Sequence, residues 1–340
     1  MKAFISVNKG FGGAEKLFDQ LFRDLRACGM IDSEWVYHRY DLSETSIWQV
    51  LRSLSRQRRG TVVYNMSVLG IGVLPLLLLK ARLNEIILYP HVVVTPATSR
   101  PKFWRLRLYL QWLCTYIADH IVAISDGNRL RLEKLTDPSK LKTVYNYVSC
   151  ENDAIPIIGS LNTDIAVIGR LQDQHKQQLT FLINNRDFLL KHNFIIHLFG
   201  TGPDEKKIRN FITENGLHEN IIMHGWCEEE TIYSYPFGFV LNLSKWEGLP
   251  LSILEAIYRD RIVLLSDIDG NRELTSSEFI FKSNDQLRLL LTRAVLNREY
   301  SNSSVHSQKL MIFQKYNKMR SLKNLSCIIR NASENKLRIM

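Results

Sequence analysis

Residues 244–256, SKWEGLPLSILEA, join an apolar strand to a helix. The strand is FVLNLS, and Pro250 suits the first position of the helix, because its missing N–H would have no partner within the helix. Gly248 lets the backbone of the turn approach a ligand closely, and the free N–H groups at a helix start attract anions. The segment therefore predicts a strand, an anion-binding turn and a helix in succession.

Two carboxylates accompany this turn. Glu247 lies in the turn itself, whereas Glu255 lies among the apolar residues of the helix. A carboxylate that emerges from an apolar helix needs hydrogen-bond donors to offset its desolvation, and sugar or ribose hydroxyls are suitable donors. An ordinary helix start that carries two acidic residues is the alternative, and the segment alone leaves both interpretations open.

The alternation of strand and helix extends through the whole chain. The second half contains the strands IAVIG, FIIHLFG, IIMHG and IVLLSD, and the first half contains KAFISV, TVVYNMS, EIILYPH, HIVAIS and KTVYN. Amphipathic segments separate them, which is typical of parallel strands joined by helices. Near-continuous apolar strands fit a sheet that is covered on both faces. We therefore expect an α/β fold with two doubly wound domains and a cleft between them.

A break in this alternation suggests the domain boundary. Residues 150–164, CENDAIPIIGSLNTD, are rich in turn-forming residues and resemble a linker. A chain of 340 residues also exceeds the length that one hydrophobic core organises comfortably. We predict one domain over 1–155, a second over 156–305, and a basic helix and tail over 306–340. One possible path for this last segment crosses back to the first domain.

Composition narrows the class of protein. With 45% hydrophobic and 23% charged residues, the chain is expected to fold as a globular protein. Lysine and arginine outnumber aspartate and glutamate by 44 to 34, for a net charge of +10. Such a charge suits phosphates, anionic lipid surfaces or nucleic acid, and its sign alone does not choose among them.

Cysteine usage and hydropathy predict the compartment. The five cysteines contain no C-x-x-C pair, and their odd number argues against a disulfide framework. The first apolar run meets glycines too soon for a signal-peptide core. The most apolar stretch, residues 69–79, is shorter than the ~20 residues that span a bilayer, so we interpret it as a buried helix. These features favour a cytoplasmic protein.

Two cations follow the first strand of the second half. In IAVIGRLQDQHKQQLTFL, Arg170 comes directly after the strand and Lys176 begins the next helical pattern. Both can reach one site at the carboxyl edge of a parallel sheet, and phosphate oxygens require cationic donors of this kind. Solvated surface charges are the alternative. The glycine-rich turn FGTGP, at 199–203, is more typical of a tight turn before a helix than of a ligand contact.

Taken in order, GRL with its following lysine, FGTGP, EGLPLSILEA and SDIDGNRE resemble the donor domain of retaining glycosyltransferase family 4, within glycosyltransferases group 1. The resemblance covers most of residues 164–273. Two glutamates with seven residues between them are the signature of that family, and Glu247 and Glu255 reproduce it. The resemblance implies the GT-B architecture, in which two Rossmann-like domains face each other across a cleft.

The same resemblance implies roles for the candidate residues. Arg170 and Lys176 would neutralise the diphosphate of a nucleotide sugar, Glu247 would contact the donor sugar, and Glu255 would bind the ribose. Gly248, Leu249 and Pro250 would line the donor pocket. We count as catalytic Glu247, His91, Arg170 and Lys176.

The first half resembles the family more loosely. GFGGAEKLFDQL is similar to its amino-terminal glycine loop, so Gly12 and Gly13 would lie beneath the donor phosphates; a flexible turn is the alternative. His91 ends EIILYPH, where the family often has an active-site histidine, and imidazole can hydrogen-bond a sugar hydroxyl; a structural histidine is the alternative. Ser125 and Asn146 would shape the cleft, or else serve as cap or turn residues.

The reaction that the resemblance implies is transfer of a sugar from a nucleoside diphosphate sugar to a glycan hydroxyl, with retention and without metal or other cofactor. We interpret Asp267 and Asp269, which mimic a metal-binding D-x-D pair, as a loop, with Glu273 nearer the donor. A lipid-linked, lipopolysaccharide or capsule glycan is the expected acceptor, and a soluble sugar is the alternative. An epimerase of similar fold would not be expected to show these motifs.

A noncatalytic nucleic-acid-binding protein is the alternative from a different class. We expect no nucleic-acid partner, because the chain lacks an aromatic-basic recognition motif and its basic residues look dispersed.

Residues 100–113, RPKFWRLRLYLQWL, mix basic and aromatic residues. Packing within the first domain is the main role that we expect for this helix. Peripheral contact of its basic end with an anionic membrane is the second expectation.

Overall fold

The computed structural model describes residues 2–8, 12–57, 59–66, 72–91, 104–148, 162–296 and 302–337. The chain divides into two compact units, one formed by 1–147 with 316–340 and the other by 148–315. Most of the expected linker, together with Arg100, Lys102 and Phe103, lies outside the described residues. The last three linker positions already belong to a strand that begins at Asn162.

The first unit is built on a six-stranded sheet in the order β2-β1-β3-β4-β5-β6, and every pairing is parallel. Its elements in chain order are β1 (Lys2–Asn8), α1 (Gly13–Ala27), β2 (Trp35–Asp41), α2 (Ile47–Ser55), β3 (Thr61–Met66), α3 (Val73–Ala81), β4 (Glu85–Pro90), α4 (Trp104–Ile117), β5 (His120–Ala123), α5 (Asp126–Leu132) and β6 (Leu141–Thr143).

The two faces of this sheet carry different helices. In β1, Ala3, Ile5 and Val7 pack with residues of α2, α3 and α4. Phe4 points to the opposite face, as the alternation of a strand requires, and packs with α1 and with the carboxy-terminal helix, Lys318–Leu337. The end of the chain therefore completes the core of the first unit.

The second unit contains another six-stranded parallel sheet. Its elements are β7 (Asn162–Ile168), α6 (Asp173–Lys176), α7 (Gln178–Lys191), β8 (Ile196–Phe199), α8 (Glu205–Glu214), β9 (Ile221–Gly225), α9 (Glu229–Ser234), β10 (Phe237–Asn242), α10 (Leu251–Tyr258), β11 (Ile262–Ser266), α11 (Asp269–Arg272), β12 (Ile280–Phe281), α12 (Asn284–Leu291) and α13 (Asn302–Phe313), before the carboxy-terminal helix α14.

The order of this sheet is β12-β11-β10-β7-β8-β9. The chain moves outward from β7 to β9, then returns to place β10 on the other side of β7. In doubly wound sheets, ligands bind outside the carboxyl ends of the strands at such a reversal. The sheet order therefore directs attention to the loops that follow β7 and β10.

The burial of a strand explains whether it could be predicted from the sequence. Every residue of β10 is buried, which agrees with a near-continuous apolar strand covered on both faces. β2, WVYHRYD, was not predicted from the sequence, because polar residues interrupt its apolar ones. It lies at the edge of its sheet. Within the described residues, no helix combines the length and the apolarity needed to cross a membrane.

Candidate active site

The candidate site lies at the carboxyl edge of the second sheet. Arg170 is exposed two residues after the end of β7, and Glu247 follows the end of β10 by five residues. β7 and β10 are neighbours in the sheet, so the sequence segments that carry the expected site residues meet at the reversal.

Glu247 and Lys176 form an ion pair across this reversal, with the Lys176 ammonium on Glu247 Oε1. The hydroxyl of Ser244 donates to the same oxygen at 2.8 Å. Both charged side chains are largely buried, with 14% of Glu247 and 19% of Lys176 exposed. The sequence placed the two residues at one edge; the structure brings their charged groups into contact.

The surroundings of Glu247 favour its ionised form. Burial alone raises the pKa of a carboxyl, but the charge of Lys176 and the hydrogen bonds from Lys176 and Ser244 outweigh it. The pKa of Glu247 therefore lies below its ordinary value, and the side chain is a carboxylate at neutral pH.

His175 and Trp246 hold the two loops together, and neither residue was expected from the sequence. Their rings stack with centroids 4.5 Å apart, and His175 Nε2 donates to the carbonyl of Trp246 at 2.6 Å. The N–H of Lys245 donates to the carbonyl of His175 at 2.9 Å. Burial lowers the pKa of His175, which favours the neutral ring. These contacts fix the backbone on both sides of the ion pair.

The glycine turn at 199–203 supports Arg170 from beneath. A Cβ on Gly200 would overlap the carbonyl oxygen of Gly169, and a Cβ on Gly202 would overlap that of Leu171. The N–H of Leu171 also donates to Thr201 at 3.0 Å. The turn therefore packs against the GRL backbone, in keeping with the tight-turn interpretation of the sequence.

The turn before α10 differs slightly from expectation. Pro250 occupies the N-cap rather than the first helical position, because the backbone is still extended there, with ψ 106°. Leu249 and Pro250 are buried, whereas Gly248 and Glu255 are partly exposed. Gly270, at the start of α11, packs so closely that its Cβ would lie 3.0 Å from the carbonyl oxygen of Gly248.

The D-x-D mimic forms ion pairs within its own loop. Arg272 binds Asp267 at 2.6 Å and Asp269 at 3.1 Å. Glu273 binds Lys315 at 3.0 Å, and its expected place nearer the donor stays a prediction. Among the described residues, no group of three histidine, cysteine, aspartate or glutamate side chains is placed to hold a metal ion.

A cavity of about 440 Å³ opens beside the ion pair, at the carboxyl ends of β10, β11 and β12. Ser244 and Lys245 line it, but Lys176 and Glu247 do not. The cavity therefore adjoins the candidate site without containing its charged pair. Its polar lining includes Gln177, Ser266, Asp267 and Lys282.

In the first unit, Gly12 and Gly13 are exposed at the start of α1. The N–H of Gly12 donates to Glu15 Oε2 at 3.1 Å, as part of a capping box at the start of α1; the place of both glycines beneath the donor phosphates stays a prediction. Ser125 accepts from the N–H of Asn128 at 3.1 Å and caps α5, which agrees with the alternative of a helix cap.

His91 follows β4 and is 5% exposed, with its ring centroid 5.3 Å from that of Tyr89. Burial lowers the pKa of His91 to about 4, so the ring is neutral at neutral pH. Among the described residues, its Nε2 is buried without a hydrogen-bond partner. The same holds for Oδ1 of Asn146.

Asn8 and Asn65 were missed in the sequence, because asparagine in an apolar strand gives no distinctive pattern. Both are fully buried near the carboxyl ends of β1 and β3. Both polar atoms of Asn8, and Oδ1 of Asn65, have no hydrogen-bond partner in the part of the chain that the structure describes. Such a group costs about 1–3 kcal/mol when left unsatisfied, and unpaired groups in native proteins often mark functional positions.

Comparison with known proteins agrees with this geometry. Residues 158–309 match the family model of "Glycosyl transferases group 1". The matched region contains the ion pair, the glycine turn, α10 and the D-x-D mimic. It stops short of the first unit.

Two relatives of this chain are named glycosyltransferases. The chain is 27% identical over 223 residues to the UDP-Gal:alpha-D-GlcNAc-diphosphoundecaprenol alpha-1,3-galactosyltransferase of Escherichia coli, covering 59% of this chain and 57% of the relative. It is 22% identical to the poly(ribitol-phosphate) alpha-N-acetylglucosaminyltransferase of Staphylococcus aureus (strain COL), covering 54% of this chain and 39% of the relative. The chain thus spans between about two fifths and three fifths of the length of these relatives.

A solved structure extends the comparison to both units. HepE of Anabaena, in complex with UDP and glucose, superposes with a TM-score of 0.75 and 13% identity over 97% of this chain and 99% of that one. At this identity the likeness concerns the fold. The chain therefore has the GT-B fold, with two α/β units that are each built on a parallel sheet, and its residues 158–309 match the family model of glycosyl transferases group 1.

Proposed function

We propose that this protein is a glycosyltransferase, which transfers a sugar from a nucleoside diphosphate sugar to a hydroxyl of a glycan acceptor. The observation that carries the proposal is the ion pair of Lys176 and Glu247 at the reversal of the second sheet, with exposed Arg170 beside it. This is where doubly wound sheets bind ligands, and the family match covers all three residues.

The leaving group of the reaction is a nucleoside diphosphate, on which negative charge develops as the glycosyl bond breaks. Arg170 and Lys176 supply cationic donors to its oxygens, and the start of α10 adds backbone dipoles. Fixed donors of this kind stabilise developing charge without rearranging during the reaction. The loop contacts of His175 and Trp246 keep Lys176 in place.

Glu247 orients the Lys176 ammonium and, as a carboxylate, accepts hydrogen bonds from hydroxyls of the donor sugar. Glu255, partly exposed on α10, binds the ribose hydroxyls. We do not assign Glu247 as a nucleophile. Retention of the anomeric configuration is part of the proposal and rests on the family resemblance.

His91 contributes a neutral imidazole, which hydrogen-bonds a sugar hydroxyl through its Nε2, for which the described residues offer no partner. We propose that the reaction requires no metal. The pairing of Asp267 and Asp269 with Arg272 supports this, because a D-x-D metal site needs both carboxylates for the ion.

We propose a lipid-linked or lipopolysaccharide-type glycan as the acceptor, handled at the cytoplasmic face of a membrane. The names of the two relatives give a diphosphoundecaprenol-linked sugar and poly(ribitol-phosphate) as their acceptors, which supports this class. A soluble sugar acceptor is the competing proposal, and a parallel assay with both acceptor types decides between them.

The test of donor binding is a thermal stability screen of the purified protein with UDP-, GDP- and ADP-sugars, with and without EDTA. A ligand that binds the folded state raises its stability. We expect one donor to raise Tm, and the rise to be the same with and without EDTA. No shift with any donor would contradict the proposed activity, and a shift that EDTA abolishes would contradict metal independence.

A further inference from the structure

The positive charge of the chain is concentrated in one segment. Residues 45–118 contain ten lysines and arginines and one acidic residue, Glu85, so this segment carries a net +9 of the chain's +10. The basic residues are about as dense here as in the rest of the chain; the net charge arises because the segment contains a single acidic residue. The ten basic positions are Arg52, Arg56, Arg58, Arg59, Lys80, Arg82, Arg100, Lys102, Arg105 and Arg107.

Helices α2, α3 and α4 belong to this segment and cover one face of the first sheet. Val50 of α2, Leu76 of α3 and Cys114 of α4 belong to one buried cluster with the strands. The three helices therefore present a shared outer surface on the opposite side. We call the outward surface of α2, α3 and α4 the docking face.

Helix α4 is apolar on its exposed side as well as on its core side, where Leu110, Leu113 and Ile117 pack against the buried cluster. The residues that it buries are Gln111, Cys114 and Thr115. Apart from Arg105, its exposed residues are apolar or aromatic. Leu106 is 56% exposed, Tyr109 57%, Trp112 41% and Tyr116 67%.

The aromatic residues form a continuous stripe. Tyr109, Trp112 and Tyr116 are spaced by three and four residues and so lie along one side of the helix. The ring centroids of Tyr109 and Trp112 lie 5.7 Å apart, and those of Trp112 and Tyr116 lie 5.5 Å apart. Trp48 of α2, 76% exposed, and Leu74 of α3, 46% exposed, extend the apolar surface to the neighbouring helices. A contiguous apolar surface of this kind marks an interaction site.

The stripe runs toward the edge of the sheet where His91 lies. In a parallel sheet, the connecting helices run antiparallel to the strands, so the first turns of α2, α3 and α4 lie near the carboxyl edge. Trp48, Leu74 and Leu106 are in those first turns. The docking face is therefore continuous with the edge that carries the unpaired polar groups.

We propose that the docking face binds the surface of an anionic lipid bilayer. Tryptophan and tyrosine favour the interface between headgroups and acyl chains, exposed leucines insert beside them, and the basic residues attract anionic headgroups. Solvent-exposed leucines distinguish this surface from one that binds nucleic acid, where stacking rings and cations suffice. The purpose of the contact, access to a lipid-linked acceptor, rests on the proposed function; the contact itself does not.

The experiment is cosedimentation of the full chain with vesicles. The vesicles contain either phosphatidylcholine alone or phosphatidylcholine mixed with phosphatidylglycerol. The variants are the triple change Tyr109→Ser, Trp112→Ser and Tyr116→Ser, and the double change Arg52→Gln and Arg105→Gln. Trp226→Ser is the matched control, because Trp226 is 66% exposed in the second unit.

We expect wild type and Trp226→Ser to bind the anionic vesicles, less so as salt rises, and to bind pure phosphatidylcholine weakly. Both docking-face variants should bind about tenfold more weakly or worse. Equal binding by the triple variant, or no binding by wild type, would overturn the proposal. Retention of wild type on single-stranded RNA without vesicle binding would overturn it in favour of nucleic acid.

The donor screen separates this inference from the proposed function. Each docking-face variant is tested for Tm elevation by the donor that stabilises wild type, which also reports whether the variant is folded. Normal donor stabilisation with lost vesicle binding supports the docking face. Vesicle binding without any donor effect would contradict the proposed activity and leave the docking face standing.

Discussion

Lys176 and Glu247 are 71 residues apart in the sequence, yet their charged groups form an ion pair at the point where the order of the second sheet reverses. The pair is largely buried, and Ser244 adds a hydrogen bond to the carboxylate. A lysine held in this way presents its remaining N–H donors in a fixed direction, which suits a diphosphate.

The first prediction concerns Glu247→Gln. The change keeps the size of the side chain and removes its charge, so Lys176 loses its partner. We expect the rate of sugar transfer to fall about 100-fold or more, the range for removal of a preorganised electrostatic group. Initial rates measure this. Glu214→Gln, at an exposed glutamate of α8, is the control, and equal rates for the two variants would refute the role of Glu247.

The second prediction concerns the pH dependence of stability. The folded pKa of Glu247 lies below its ordinary value of 4.5. The stability that its ionised form contributes is therefore complete above about pH 4.5 and is lost as pH falls through the folded pKa. Urea unfolding of wild type and Glu247→Gln should show a gap that is constant near neutral pH and narrows in acid. A stability difference between wild type and Glu247→Gln that widens in acid would show that the pKa of Glu247 is raised rather than lowered.

The third prediction compares two glycines with positive φ. A Cβ on Gly200 overlaps the backbone of Gly169, whereas a Cβ on Gly216 meets no atom within 4 Å. We expect Gly216→Ala to cost about 1–2 kcal/mol of stability through backbone strain, and Gly200→Ala to cost about 1–3 kcal/mol more through overlap. Chemical denaturation measures both. Equal costs would mean that the two turns do not pack as described.

The fourth prediction concerns Gln177, which lies in the left-handed region with φ 54°. The residue joins α6 to α7, immediately after Lys176. Glycine adopts this conformation without steric cost, so Gln177→Gly should raise stability by up to about 1 kcal/mol, less the entropy that glycine adds to the unfolded chain. Loss of more than 1 kcal/mol would indicate that the glutamine side chain contributes a contact of its own.

Much of the second unit could be predicted because its strands are apolar and its site motifs follow them directly. β10 is buried along its whole length. Arg170 and Glu247 each follow a strand, so the sequence predicted that both lie at the same edge of the sheet. The contact between Lys176 and Glu247 could not be predicted, because it depends on β10 pairing with β7 rather than with its predecessor β9.

The first unit was harder to predict for different reasons. β2 is a polar edge strand without the apolar run that marks the others. α4 carries aromatic residues that a pattern assigns to a core, but it packs against the core through Cys114 and the partly buried Leu110, Leu113 and Ile117. The buried Asn8 and Asn65 are visible only when the hydrogen bonds of the folded chain are examined.

The most direct test of the account is calorimetric titration of the stabilising nucleotide sugar into wild type, Lys176→Ala and Lys191→Ala. Lys191 is an exposed lysine at the end of α7, so its variant matches the change in charge without touching the ion pair. We predict that Kd rises about tenfold or more for Lys176→Ala, as expected for loss of a charge-assisted contact, and is unchanged for Lys191→Ala. A folded Lys176→Ala variant that binds the donor as tightly as wild type would contradict the account.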